Sequence, residues 1–84
     1  MSTPLILSIV EYLFAPMALR SILARNLRSL RAERQMSQEA LASKASIDRT
    51  YVSALERERY AVSIDTLEKL ADALGVPAAE LLRL

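Results

Sequence analysis

Apolar positions recur along this chain at intervals of three and four residues, a pattern that predicts helices joined by short turns. In residues 4–17, Leu5, Ile6, Ile9, Val10, Leu13 and Phe14 share one side and Ser8, Glu11 and Tyr12 lie opposite. That spacing predicts an amphipathic helix, ended by Pro16, whose apolar side needs a partner surface. A second helix is expected over about 17–34. Its core stripe is Leu19, Ile22, Leu23, Leu27 and Leu30, with Arg25 and Arg28 pointing away and Arg31 at the flank. Ser37 is suited to cap a short helix over 38–44 that can bury Ala40, Leu41 and Ala45.

Asp48 reads as the cap of the next helix, 49–57. Ile47 stands just before the cap and Val52 four residues after it, the spacing of a hydrophobic staple that fixes how the chain enters a helix. Two short helices joined by a three- to four-residue turn make a helix-turn-helix. Ser63 then caps a helix with Ile64, Leu67, Leu70, Ala71 and Leu74 on its inner face. Gly75 supplies the left-handed position after it, and Val76 and Pro77 give a stop and a fresh start. A last turn or two over 77–82 leaves Leu81, Leu82 and Leu84 exposed unless something covers them. The expected architecture is all-α, with residues 1–18 as an N-terminal apolar helical extension and 19–84 as the helix-turn-helix domain.

Length and composition sharpen this picture. Eighty-four residues make one small domain, which buries only about 60–65% of its unfolded surface and has little stability in reserve. The chain has no cysteine, so disulfides and thiolate metal sites are excluded and dimerisation is the ordinary remaining supplement. A cysteine-free chain fits a reducing cytoplasm. Residues 4–17 are too short and too interrupted to span a bilayer, and their polar side lacks the Lys/Arg of an interfacial helix. No membrane partner is expected.

The formal net charge of +1 hides a gradient. Residues 18–60 carry nine Lys/Arg against five acids, whereas 61–84 carry Lys69 and Arg83 against Asp65, Glu68, Asp72 and Glu80. A basic middle and an acidic tail suit a polyanion on one face and a protein partner on another. Catalysis finds no support. There is no histidine or cysteine, and one glycine cannot build a phosphate loop. No cofactor, metal or small-molecule ligand is implied.

The fourth helix carries the chemistry. With Val52, Leu55 and part of Tyr51 facing the core, a rotation of 100° per residue turns Arg49, Thr50, Ser53 and Arg57 outward. Arginine can bond guanine bidentately and threonine can meet thymine through its methyl group, so such a face suits base reading in a major groove. The amides around Gln38 and Arg49 can meet phosphates. Arg57, Arg59, Tyr60 and Ser63, in and after the next loop, are reasonable phosphate contacts that position without reading. Arg31 and Glu56 are placed to pair while partly buried.

From about Leu19 to Leu82 the sequence resembles the helix-turn-helix domain of phage repressors and Cro. The matching text is Arg-Asn-Leu-Arg-Ser-Leu-Arg-Ala-Glu-Arg, Met-Ser-Gln-Glu-Ala-Leu-Ala, Ile-Asp-Arg-Thr-Tyr-Val-Ser-Ala-Leu-Glu-Arg and Thr-Leu-Glu-Lys-Leu-Ala-Asp-Ala-Leu-Gly-Val. Residues 48–57 are particularly similar to the small controller proteins of bacterial restriction–modification systems. The resemblance implies a five-helix repressor-like domain whose reading helix, 48–57, enters the major groove of double-stranded DNA. It places Arg49, Thr50 and Ser53 on base-reading positions, and Ser37, Gln38 and Tyr51 among the DNA-positioning residues. Arg31 and Glu56 fall on the family's structural ion pair. It also implies a homodimer joined near 76–84, through Val76, Leu81, Leu82 and Leu84, which sets two reading helices about 34 Å apart on a near-palindromic site.

Three features depart from the family pattern. Ser46 stands where the turn often has glycine, Glu58 sits in a loop that often has glycine or asparagine, and residues 1–18 lie outside the pattern. Either that segment is an added helix, or Met17 is the true start. Two functions follow: a cytoplasmic, sequence-specific transcriptional regulator, or an antitoxin- or adaptor-type module that binds a protein through the N-terminal helix.

Overall fold

The computed structural model describes residues 18–84. The amphipathic helix expected over 4–17 lies outside the described residues. Ala18, assigned above to the N-terminal extension, is instead the buried first residue of α1. The elements are α1 (Ala18–Glu33), α2 (Gln38–Ala45), α3 (Arg49–Glu56), α4 (Ile64–Leu74) and a 3-10 helix (Ala78–Leu82). No strand occurs among the described residues. The all-α architecture is the expected one, with the fifth helical element a 3-10 turn.

Each helix begins where local chemistry dictates. The Ser37 hydroxyl accepts from the Ala40 amide at 2.9 Å, the Asp48 carboxylate from Thr50 at 2.7 Å and the Ser63 hydroxyl from Thr66 at 3.1 Å. These bonds satisfy amides that a helix start leaves without partners. An apolar residue precedes each cap and another follows four positions after it: Met36 and Leu41, Ile47 and Val52, Val62 and Leu67. All six belong to or pack against a single core, so the entries to α2, α3 and α4 each carry the staple that orients the incoming chain.

The helix ends are equally uniform. After α1 the Met36 amide reaches the Arg31 carbonyl at 2.9 Å, and after α2 the Ile47 amide reaches Ala42 at 2.9 Å. After α3 Arg59 reaches Ala54 at 2.9 Å, and after α4 Val76 reaches Ala71 at 3.0 Å. All four are Schellman closures, which require a left-handed residue just before the donor. That residue is Gln35 (φ 54°), Ser46 (φ 58°), Glu58 (φ 62°) and Gly75 (φ 69°). Only the last is a glycine, so three closures carry a side chain in a conformation that L-residues resist. Met36 and Ile47 then serve twice, closing one helix and stapling the next, and this compresses each of the first two turns into three or four residues.

The core draws on every element: Leu27 from α1, Leu41 from α2, Val52 and Leu55 from α3, Leu70 and Leu74 from α4, and Leu81 from the 3-10 turn are fully buried. Four expectations need correction. Leu19 and Ile64 are 62% and 72% exposed; each stands in the first turn of its helix, where periodicity marks a side but nothing among the described residues stands opposite. Ala40 is exposed and Ala42 takes its place beside Leu41 and Ala45, because Ala42 lies one turn before Ala45 on the same side. Leu81, expected at the surface, is buried in its own domain. Asn26 of α1 explains this, donating its side-chain amide to the carbonyls of Leu81 at 2.9 Å and Arg83 at 2.8 Å. The 3-10 turn is thereby folded back against α1, leaving Val76 and Leu82 half-buried and Leu84 exposed.

Relief of the left-handed strain at Ser46 is directly measurable. Ser46→Gly should raise unfolding stability by roughly 0.5–1 kcal/mol, the left-handed penalty less the added chain entropy of glycine. A urea melt showing equal or lower stability would contradict this account of the turn.

Candidate nucleic-acid interface

The side chain of Glu56, at the end of α3, is only 4% exposed, and it would be costly to bury alone. Arg31 of α1 meets it with a two-pronged contact, Nε to Oε2 at 2.6 Å and Nη2 to Oε1 at 2.7 Å. The third guanidinium nitrogen donates to the Met36 carbonyl at 2.9 Å, in the turn before α2. Gln38, the first residue of α2, adds a bond from Nε2 to Glu56 Oε1 at 3.1 Å. One carboxylate thus ties together α1, the start of α2 and the end of α3. The bond to Glu56 holds the Arg31 guanidinium above its ordinary pKa, against the opposing effect of burial. The pair expected from sequence is therefore present, in the charge-assisted, bidentate form that restricts geometry most.

Opposite this anchor lies the free face of α3. Val52, Ala54, Leu55 and Glu56 are buried, so Arg49 and Thr50 in the first turn are exposed and Ser53 is half-buried one turn on. Arg49 and Ser53 are four apart and Thr50 and Ser53 three apart, which places all three on one side of the helix. Arg57 continues that side and bends back to its own helix, its Nε donating to the Ser53 carbonyl at 3.4 Å. The Asp48 cap holds its carboxylate below the usual range, first through the Thr50 amide and next through the Thr50 side chain.

The residues expected to contact phosphate divide into two groups. Arg57, Arg59 and Tyr60 are exposed around the α3–α4 loop. Ser37, Gln38, Tyr51 and Ser63 are committed to the fold as well. Ser37 caps α2, and Gln38 spends one amide proton on Glu56. Ser63 both caps α4 and donates its hydroxyl to Thr66 Oγ1 at 3.0 Å. Tyr51 donates its hydroxyl to the Ala61 carbonyl at 3.1 Å and stacks on Tyr60 with ring centres 6.3 Å apart. That stack holds the loop against α3.

Arg28 escaped the sequence reading beyond its outward orientation. It donates Nη1 to the Glu56 backbone carbonyl at 2.7 Å. Its position three residues before Arg31 was the available signal, since residues at that spacing share a helix side. Among the described residues, no cluster of metal-ligating side chains occurs and no helix is long and apolar enough to cross a membrane.

This arrangement matches a known family. The helix-turn-helix family pattern covers residues 27–81, more than half of the chain, and the chain belongs to that family. It is 50% identical over 64 residues, 76% of its own length, to a hypothetical transcription factor of Neisseria meningitidis, and spans 60% of that protein. It is 40% identical over 65 residues to the control protein C.BamHI of Bacillus amyloliquefaciens, covering 76% of this chain and 80% of that one. The crystal structure of the restriction–modification controller protein C.AhdI from Aeromonas hydrophila superposes with a TM-score of 0.72 at 39% identity, covering 74% of this chain and 94% of that one. The domain is thus the DNA-binding helix-turn-helix of transcriptional regulators, a non-enzymatic family, and the resemblance to phage repressors and controller proteins holds.

Two outcomes follow from the geometry. Glu56→Ala strands the Arg31 guanidinium and should lower stability by roughly 3–5 kcal/mol in a urea melt; a loss below about 1 kcal/mol would mean that the pair is not the anchor. At Asp48 the folded carboxyl is depressed, so its contribution is present above the unfolded value near 3.9 and is lost as pH falls through the folded one. The stability gap between wild type and Asp48→Ala should therefore hold steady from pH 7 to about 5 and narrow below about 4. A gap that widens toward acid contradicts this.

Proposed function

We propose that this protein is a sequence-specific transcriptional regulator that binds double-stranded DNA as a homodimer on a near-palindromic operator. The observation that carries the reading is the pairing of an exposed Arg49–Thr50 turn with a buried anchor at the other end of the same helix. A solvated polar face needs no such anchor, whereas a base-reading face must be held in register with a rigid duplex. Arg49, Thr50 and Ser53 read base edges in the major groove. Arg57, Arg59 and Tyr60 meet phosphates, as do the second amide proton of Gln38 and the amides at the capped start of α2.

The homodimer reading draws on the small core and on Leu84, which is 73% exposed beside half-buried Val76 and Leu82. Leu81 has no part in that surface. Similarity to proteins named as control and repressor proteins supports the regulator part of this reading.

The test is a fluorescence-anisotropy titration of wild type and Arg49→Ala at one physiological salt concentration, on a selected operator and on random DNA. Arg49→Ala should lose roughly 1–3 kcal/mol on the operator and relax preference at one base pair in each half-site. Equal losses on every sequence would remove Arg49 from base reading. A wild type that never prefers any selected site over random DNA would overturn the proposed function.

A further inference from the structure

The last four carbonyls of α3 have no partner within the helix. The amides of Arg57, Arg59 and Glu58 take those of Ser53, Ala54 and Leu55. The fourth, on Glu56, is taken from outside by Arg28 Nη1 at 2.7 Å. Arg57, the C-cap, brings its own guanidinium to the Ser53 carbonyl at 3.4 Å, and Arg28 adds from α1 a second positive charge of the kind a helix C-terminus favours. Arg28 and Arg31, three residues apart, therefore grip one residue twice, by its backbone and by its carboxylate.

We propose that Arg28 is a positioning residue for base discrimination: it pins the C-terminal end of α3 and so fixes the attitude of the Arg49–Thr50 turn. That turn lies about 10 Å along the helix from the pinned carbonyl, and a helix held at one end only through the carboxylate of a rotatable side chain can still rock about it. The backbone bond supplies a second fixed point. Tilt of the helix moves the bidentate geometry of an arginine on a guanine edge out of register, while phosphate contacts from mobile side chains tolerate it. Loss of Arg28 accordingly costs discrimination and leaves general affinity for DNA in place. This inference rests on the regulator reading.

Arg28→Met keeps the aliphatic stem while removing donor and charge at an exposed helix position. The full-length variant and the wild type are titrated on operator and on random DNA across a salt series, with amide hydrogen exchange measured on the free proteins. The operator-to-random affinity ratio should fall by about tenfold, the worth of one charge-assisted hydrogen bond, with an unchanged slope of affinity against salt. Exchange of the amides of Arg57, Glu58 and Arg59 should quicken. A uniform loss on both DNAs with the salt slope reduced by about one would make Arg28 a phosphate contact and overturn the proposal. A lowered melting point with the ratio intact would make it merely structural and overturn it equally. A wild type without operator preference fails the regulator reading itself, a result distinct from a discriminating wild type whose variant discriminates as well.

Discussion

The buried carboxylate of Glu56 is the constraint around which this domain is arranged. A charge at 4% exposure has to be matched by donors in fixed places. Here the donors come from two different segments, Arg31 on α1 and Gln38 at the head of α2. Because α3 is only eight residues long, it could not hold an orientation on its own propensity. Its inner face, in one core with Leu27 of α1 and Leu41 of α2, resists separation, but apolar contact is not directional. The ion pair and its neighbours supply the direction.

Function follows from the polarity of that short helix. Its anchored end is buried and charge-paired, and its free end presents Arg49 and Thr50 beyond the Asp48 cap. Just before the free end the stapled turn at Ile47 sets the crossing of α2 and α3, so that the capped starts of both helices and the exposed Arg49–Thr50 turn depend on one another. The stack of Tyr51 on Tyr60 extends the same fixation to the following loop. Rigidity at this scale is what the proposed base reading requires of a domain of this size.

Much of this was legible in the chain. The caps at Ser37, Asp48 and Ser63 could be read from residue type, and the staples follow from a fixed spacing, because both are interactions within a few residues. The ion pair was legible because Arg31 sits at the edge of an apolar stripe. The missed features are non-local. Nothing in the periodicity of α1 says that Leu19 faces solvent, because that depends on what stands across from it. The burial of Leu81 depends on Asn26, 55 residues away. Arg28 faces away from the core by periodicity, yet its length carries it to the end of another helix. The left-handed residues at Ser46 and Glu58 were visible only as departures from a family pattern. Their conformation is imposed by the closures around them, since neither side chain favours it.

The central claim, that a shared carboxylate sets the attitude of α3, is tested most directly by a double-mutant cycle on Arg31 and Glu56. Unfolding free energies would be measured for wild type, Arg31→Met, Glu56→Leu and the double variant. Each single change leaves a buried charge without its partner, whereas the double change leaves an apolar contact. The account predicts that the double variant is less destabilised than the sum of the two by about 2–3 kcal/mol. Losses that simply add would show that the two side chains act independently, and would contradict it.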